Sequence, residues 1–203
     1  MRIFILLLIA INSFGQDSLN IELQSRIYEI YKTDQECRAQ LRKYQNNELD
    51  TNEYSLTNIT LNIHITDSLN YFKLRDIINE YGFPGFNLVG EDYSNSFWNI
   101  IQHQDNNLEF QKKVLEKMKI ECERNNASKL YFAYLIDRVK VNSGELQIYG
   151  TQMQLNADSS SYEPKPVVEP EKLDERRKEV GLVPISEYIE TMNQRYFGTL
   201  KNE

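Results

Sequence analysis

At 203 residues, with 40% hydrophobic and 26% charged side chains, the chain has the make-up of an ordinary globular domain, large enough to bury most of its apolar surface in one core. A formal net charge of −7 leaves nucleic acid and anionic membrane surfaces without the basic face that either requires. Only 8 Gly and 5 Pro favour helices over tight turns, and 13 Tyr and 9 Phe supply rings that can fill a core.

The chain opens with the three parts of a secretory leader. Arg2 is the positive flank, residues 3–11 are an apolar run, and Ser13-Phe14-Gly15 offers small residues to a signal peptidase, so residues 1–15 are expected to be removed after Gly15. An apolar run this short cannot cross a hydrocarbon core that needs about 20 residues. With no Cys after it to carry a lipid, and no later run apolar enough to span, the sequence describes an exported protein, periplasmic or secreted, that does not insert in a membrane once the leader is gone. In such a compartment Cys37 and Cys122 can form a disulfide or remain two buried thiols on helices; their spacing does not choose.

Residues 16–203 read as a single, mainly α domain. Leu23, Ile27, Ile30, Cys37, Leu41 and Tyr44 recur at steps of four and three, which keeps one helical stripe towards a core. Asp34 interrupts that stripe. Either it pairs with Arg38 one turn on, or Thr33 and Glu36 cap a new helix and leave Asp34 exposed in its first turn; the second reading is preferred, since a carboxylate in an apolar seam is costly. Residues 46–66, rich in Asn and Thr, read as a loop with a short strand near 59–65, where His64 is a surface residue. Asp67 or Ser68 can cap a helix in which Tyr71, Leu74, Ile77, Ile78 and Tyr81 share a face, and Gly82 and Pro84 stop it.

A shorter helix over about 94–103 carries Phe97, Trp98, Ile100 and Ile101 as its bulk and Ser96, Asn99 and His103 as a polar stripe. Asn106 and Glu109 have the spacing to cap the next helix, whose inner side holds Leu108, Val114, Leu115, Met118 and Cys122. Residues 130–136 are seven apolar or aromatic residues in a row, suited to a buried helix. Val139-Lys140-Val141 and Leu146-Gln147-Ile148-Tyr149 then alternate about Asn142-Ser143-Gly144, which predicts a small β-hairpin over about 139–152. Residues 156–168 read as an exposed loop, Pro170 begins a helix that ends at Gly181, and Ser186 caps a last helix with Ile189, Met192 and Tyr196 inside.

Tyr81-Gly82-Phe83-Pro84, Gln102-His103-Gln104-Asp105, Asp137-Arg138, Gln147-Ile148-Tyr149-Gly150-Thr151-Gln152, Arg176-Arg177 and Gly181-Leu182 together resemble a bacterial family known only as a domain of unknown function. The resemblance covers roughly residues 20–190. It implies that these polar positions meet in one place, without an activity for them, and Gln104 departs from the small residue expected between the His and the Asp.

Chemically, there is no Gly-x-Ser-x-Gly elbow, phosphate loop or dinucleotide fingerprint, so no cofactor is expected, and two distant histidines with two distant cysteines give no metal-ligand cluster. What remains is a His-centred polar group. In its catalytic form His103 is the general acid or base, Asp105 or Asp137 orients its ring, and Gln102, Arg138, Gln147, Tyr149 and Gln152 with Asp137 hold a small polar or cell-envelope ligand, water serving as nucleophile. In the alternative the same residues form a hydrogen-bond network that fixes the fold of a non-catalytic envelope interaction protein.

Overall fold

The structure, a computed structural model, describes residues 18–50 and 53–198. The leader expected over residues 1–15 lies outside them. Among the described residues there are eight α-helices and one two-stranded antiparallel sheet, so the mainly α architecture with a small hairpin holds. The helices are α1 (Ile21–Gln45), α2 (Leu56–Tyr81), α3 (Phe86–Val89), α4 (Glu91–Ile101), α5 (Leu108–Glu123), α6 (Lys129–Asn142), α7 (Leu173–Glu179) and α8 (Ile185–Phe197). The strands are β1 (Met153–Leu155) and β2 (Tyr162–Pro164).

α1 does not restart at Thr33. It runs unbroken from the Asn20 cap, whose side chain accepts from the Leu23 amide, and it turns Leu23, Ile27, Ile30 and Asp34 inward together. Asp34 is therefore buried, not exposed as the sequence reading preferred. α2 is also one continuous helix from Leu56, capped by Ser55 accepting from the Asn58 amide, where a loop and short strand were expected. The reason is in its side chains. Ile59, Leu61, Ile63 and Ile65 alternate as a strand would, yet a step of two residues on a helix is a turn of about 200°. Ile59 and Ile63 enter the core while Leu61 and Ile65 stay outside.

α4 is the middle of the molecule. Phe97, Ile100 and Ile101 are without solvent exposure and Trp98 nearly so, each contributing about 1.5–3 kcal/mol of burial before entropy is charged against it. They pack with Leu23, Ile27 and Ile30 of α1, Leu74, Ile77 and Ile78 of α2, Val114 and Met118 of α5 and Leu135 of α6 in one cluster. Rings close its edges: Trp98 stacks on Tyr131 at 4.0 Å, and Tyr71 meets Phe110 edge-on at 5.3 Å. Gly82, at φ 74°, ends α2 as its spacing predicts. Three residues on, Gly85 lets the backbone of α3 press against the α5–α6 connection. The Phe86 amide donates to the Asn126 carbonyl at 2.8 Å, and a Cβ at Gly85 would stand 2.8 Å from that same oxygen.

The hairpin expected over 139–152 is displaced. Val139-Lys140-Val141 is the last turn of α6, and Gly144, at φ 74°, follows its Ser143 cap. The strands instead pair Met153 with Pro164, Gln154 with Glu163 and Leu155 with Tyr162, so they flank and enter the stretch that had read as an exposed loop over 156–168. α8 lies along this hairpin, where Tyr162 contacts Tyr196 and Phe197 and its amide donates to Asn193 Oδ1. No side chain of α8 is fully buried, and Tyr196, expected inside, is half exposed.

Candidate functional site

The chain leaves α4 through a tightly held turn. The His103 and Gln104 amides donate back to Ile100 and Ile101, and a 3-10 turn, Asp105–Asn107, leads into α5. Gln104 explains its own size. Its side chain is buried, its Nε2 donates to the Asp67 carbonyl on α2 at 3.1 Å, and its Oε1 accepts from Asn107 at 3.2 Å. From the other side, Gln111 Nε2 donates to the carbonyls of Ile101 at 3.1 Å and Gln102 at 3.4 Å. Tied to α2 and α5, the turn aims the His103 ring at α1.

There His103 meets Asp34 rather than Asp105 or Asp137. Nδ1 lies 2.9 Å from Asp34 Oδ1, and the Asp34 side chain has no exposure while the His103 ring keeps 20%. Arg38 Nε lies 3.2 Å from the same carboxylate oxygen and 2.9 Å from Nδ1, and its Nη2 donates to Asp67 Oδ1 at 2.7 Å. The Arg38 Nε–H can be given to Nδ1 or to Asp34 Oδ1, whereas a bare Nδ1 lone pair facing the buried carboxylate oxygen would be repelled. We therefore assign the proton to Nδ1, donating to Asp34, with Arg38 Nε donating to the carboxylate oxygen rather than to the ring. Gln35 Nε2 satisfies the other Asp34 oxygen at 2.8 Å and also reaches Asn99 on α4 at 3.1 Å. Nε2 of His103, the ring atom carrying the free lone pair, has no hydrogen-bond partner among the described residues. Asp67, half-buried behind Arg38, has its carboxyl raised by that burial, against the opposing pull of the Arg38 guanidinium.

Asp105 and Arg138, which the sequence reading placed in one site, do come together. Arg138 donates from Nε at 2.7 Å and from Nη2 at 2.5 Å in a two-pronged pair, joined by Asn142 at 3.0 Å and Gln111 at 3.3 Å. Partial burial pushes the Asp105 carboxyl up, but the Arg138 bonds and charge, with Gln111 and Asn142, outweigh it and hold the group below its usual value. The segments 102–105 and 135–152 thus meet, through Asp105, Arg138 and Asn142.

Of the remaining residues of the expected ligand site, Asp137 and Gln147 are buried, while Gln102, Tyr149 and Gln152 are partly exposed. Asp137 has no exposure. Its Oδ1 accepts from the amides of Ile148 at 2.7 Å and Tyr149 at 3.0 Å, and its Oδ2 from the Thr151 amide at 2.9 Å and hydroxyl at 3.0 Å. Gln147 is a second clasp, its Nε2 donating to the Gln152 and Lys165 carbonyls and its Oε1 accepting from the Gln152 amide. Arg176 donates to the Ile148 and Val168 carbonyls, and the buried Arg177 to Tyr149 and Val183. Gly150, at φ 67°, supplies the bend these bonds enclose. Tyr149 enters through its backbone, and burial, then the Asp137 charge, raises its hydroxyl. Gln102 contributes its carbonyl alone to these contacts.

Asp34, Arg38 and Asp67 were not among the residues the sequence reading assigned to the site. Asp34 had a signal, the single carboxylate in an apolar stripe; Asp67, 33 residues away, had none. Among the described residues no three His, Cys, Asp or Glu side chains converge to hold a metal ion, and no helix is long and apolar enough to cross a membrane. Cys37 and Cys122 are both free thiols, Cys37 against Thr66 and Cys122 against the Ser128 carbonyl.

No curated protein and no solved structure matches the chain. A family model described as a family of unknown function, DUF6624, matches residues 21–201. That match spans the helical body, the His103 turn and the Asp137 clasp together, and the chain belongs to this family.

Proposed function

We propose that this is an exported protein that hydrolyses a small polar substrate of the cell envelope, with His103 as general base and Asp34 as the group that orients it. The observation that supports it is the His103–Asp34 pair. A carboxylate set into the apolar face of α1 costs several kcal/mol of desolvation. In the tautomer assigned above, it holds the Nδ1 proton and leaves the Nε2 lone pair of the partly exposed ring without a protein partner among the described residues. That is the arrangement needed to take a proton from water as it attacks an ester or amide carbon. The negative charge of Asp34 then stabilises the imidazolium that forms. Arg38, shared between Asp34 and Asp67, keeps both carboxylates compensated and sets positive charge beside the ring where an anionic group could approach.

Asp137, Gln147 and Gln152 act in this reading as the frame: the side chains of Asp137 and Gln147 bind backbone groups, and Gln152 gives its backbone to Gln147 and its side-chain amide to the Thr151 hydroxyl. Hydrolysis of p-nitrophenyl acetate by the full chain provides the test. His103→Gln, which can still donate to Asp34, should lower the rate about a hundredfold, the lower end of what general-base catalysis supplies, while the thermal midpoint stays within about 2 °C, less than the loss of one buried hydrogen bond would shift it. Equal rates in the two proteins, or a variant that loses only stability, would make the pair a structural network.

A further inference from the structure

α2 has two apolar faces, and the core uses one. Ile59, Ile63, Leu74, Ile77 and Ile78 point inward, while Leu61, Ile65, Leu69 and Phe72 lie on the opposite side at 53%, 49%, 58% and 52% exposure. At 100° per residue these four fall within one stripe about 80° wide, centred nearly opposite the core face. Isolated surface leucines need no explanation, but four large apolar side chains in register on one helix do.

We propose that this stripe is the contact through which two copies of the chain pair, α2 against α2. The occupant is argued from charge, area and symmetry. The protein carries −7 overall, so copies repel except through a neutral surface. From Leu56 to Phe72 the only carboxylate is Asp67, which is held by Arg38, and the stripe is edged by Asn58, Asn62 and Ser68. Beside the stripe the cations on α2 are Lys73 and Arg75, the latter over the Phe72 ring at 5.4 Å and paired with Asp76, and these against the overall negative charge disfavour an anionic lipid surface. At roughly 100 Å² exposed per side chain, half of what a large apolar residue can bury, the stripe offers about 400 Å² of apolar surface per copy. With the ordinary apolar share of an interface, that scales to about 700 Å² per copy, or roughly 1,400 Å² in total, within the range of stable complexes. Leu61, Ile65 and Leu69 also form a straight ridge at steps of four, the row that packs into its own equivalent at about −50°. In an antiparallel pair Leu61 of one copy meets Phe72 of the other and Ile65 meets Leu69, so each contact is repeated by the two-fold axis.

Sedimentation equilibrium of the full chain at about 100 µM tests it. The wild type should be a dimer, and Ile65→Glu and Leu69→Lys should each weaken the pairing at least about a hundredfold, because each buries two unpaired charges at the axis. Circular dichroism should be unchanged, as both positions are half exposed. Mixing the two variants should restore a heterodimer by placing Glu against Lys. A monomeric wild type, a dimer that survives Ile65→Glu, or a variant mixture that stays monomeric would overturn the proposal. So would a wild-type monomer that floats with phosphatidylcholine–phosphatidylglycerol vesicles through the stripe.

Discussion

Replacing Asp137 by Asn changes one atom and should change the stability of the protein more than most deletions would. The carboxylate accepts from three backbone amides and one hydroxyl inside the fold, with no exposure to solvent. Asn can keep one oxygen towards Ile148 and Tyr149, but its NH2 then faces the Thr151 amide, donor against donor. The Thr151 hydroxyl can rotate to accept; its amide cannot. The loss is therefore one buried amide left unsatisfied, about 1–3 kcal/mol, plus the charge assistance on the bonds that survive, about 1 kcal/mol more. At about 2–4 °C per kcal/mol for a domain of this size, about 3 kcal/mol lowers the melting midpoint by roughly 6–12 °C. Thermal melts followed by circular dichroism, paired with urea unfolding, give both readings, and the urea slope should not change. A loss below about 1 kcal/mol would mean that water satisfies the Thr151 amide and that the clasp is not sealed.

Four further measurements test other parts of the structure. Carbon-detected NMR titration should place the Asp105 midpoint below 3.8 and that of Asp67 above it, because Arg138 and its neighbours prevail at Asp105 and burial prevails at Asp67; the reverse order would contradict both environments. By linkage, the depressed Asp105 stabilises the fold above 3.8 and loses that contribution as pH falls through its folded value, whereas the raised Asp67 disfavours the fold at neutral pH and is relieved as it protonates above 3.8, so Asp105→Asn should flatten the acid limb of a stability–pH curve and Asp67→Asn should not. Gly85→Ala should destabilise by about 1–3 kcal/mol, since its Cβ would press on the Asn126 backbone, which cannot rotate away; an unaffected melting midpoint would show that the α3 start shifts freely. Burial pushes the Cys122 thiol up to about 11, so at pH 8 about one molecule in a thousand carries the thiolate and iodoacetamide should leave Cys122 unmodified until the protein unfolds. Peptide mapping after labelling reads this directly.

Much of the helical body was legible because a one-sided helix announces itself. Leu23, Ile27 and Ile30, or Val114, Met118 and Cys122, recur at steps that only a helix places on one face. α2 was not legible over its first half because it is apolar on two opposed faces, and two stripes about 200° apart print the same alternation as a strand. The hairpin was misplaced for a related reason. Gly144 follows a helix cap, and the residues that stop a helix, Asn142, Ser143 and Gly144, are the ones that turn a hairpin. At the site, the meeting of Asp105 with Arg138 was implied by the resemblance, which brings the polar motifs to one place, but the partner of His103 lies 69 residues earlier. Hydrogen bonds to backbone amides leave no pattern in a sequence at all, which is why Asp137 and Gln147 looked like ligands and are fasteners.

Asp34 has a consequence apart from any chemistry at His103. The stripe of α1 repeats closely enough that the helix could slide by two turns against α2 and α4 and still bury isoleucine against isoleucine. In any such slipped packing Gln35 and Arg38 would travel with the carboxylate on the same helix, but Asp34 would leave His103, Gln35 would leave Asn99 and Arg38 would leave Asp67, and the group would be set among hydrocarbon without those partners. One misplaced charge of that kind outweighs several well-packed methyl groups. The residue thus works as an index pin, admitting a single alignment of α1 against α2 and α4, and a neutral isostere at position 34 would be expected to broaden the native state before it weakened it.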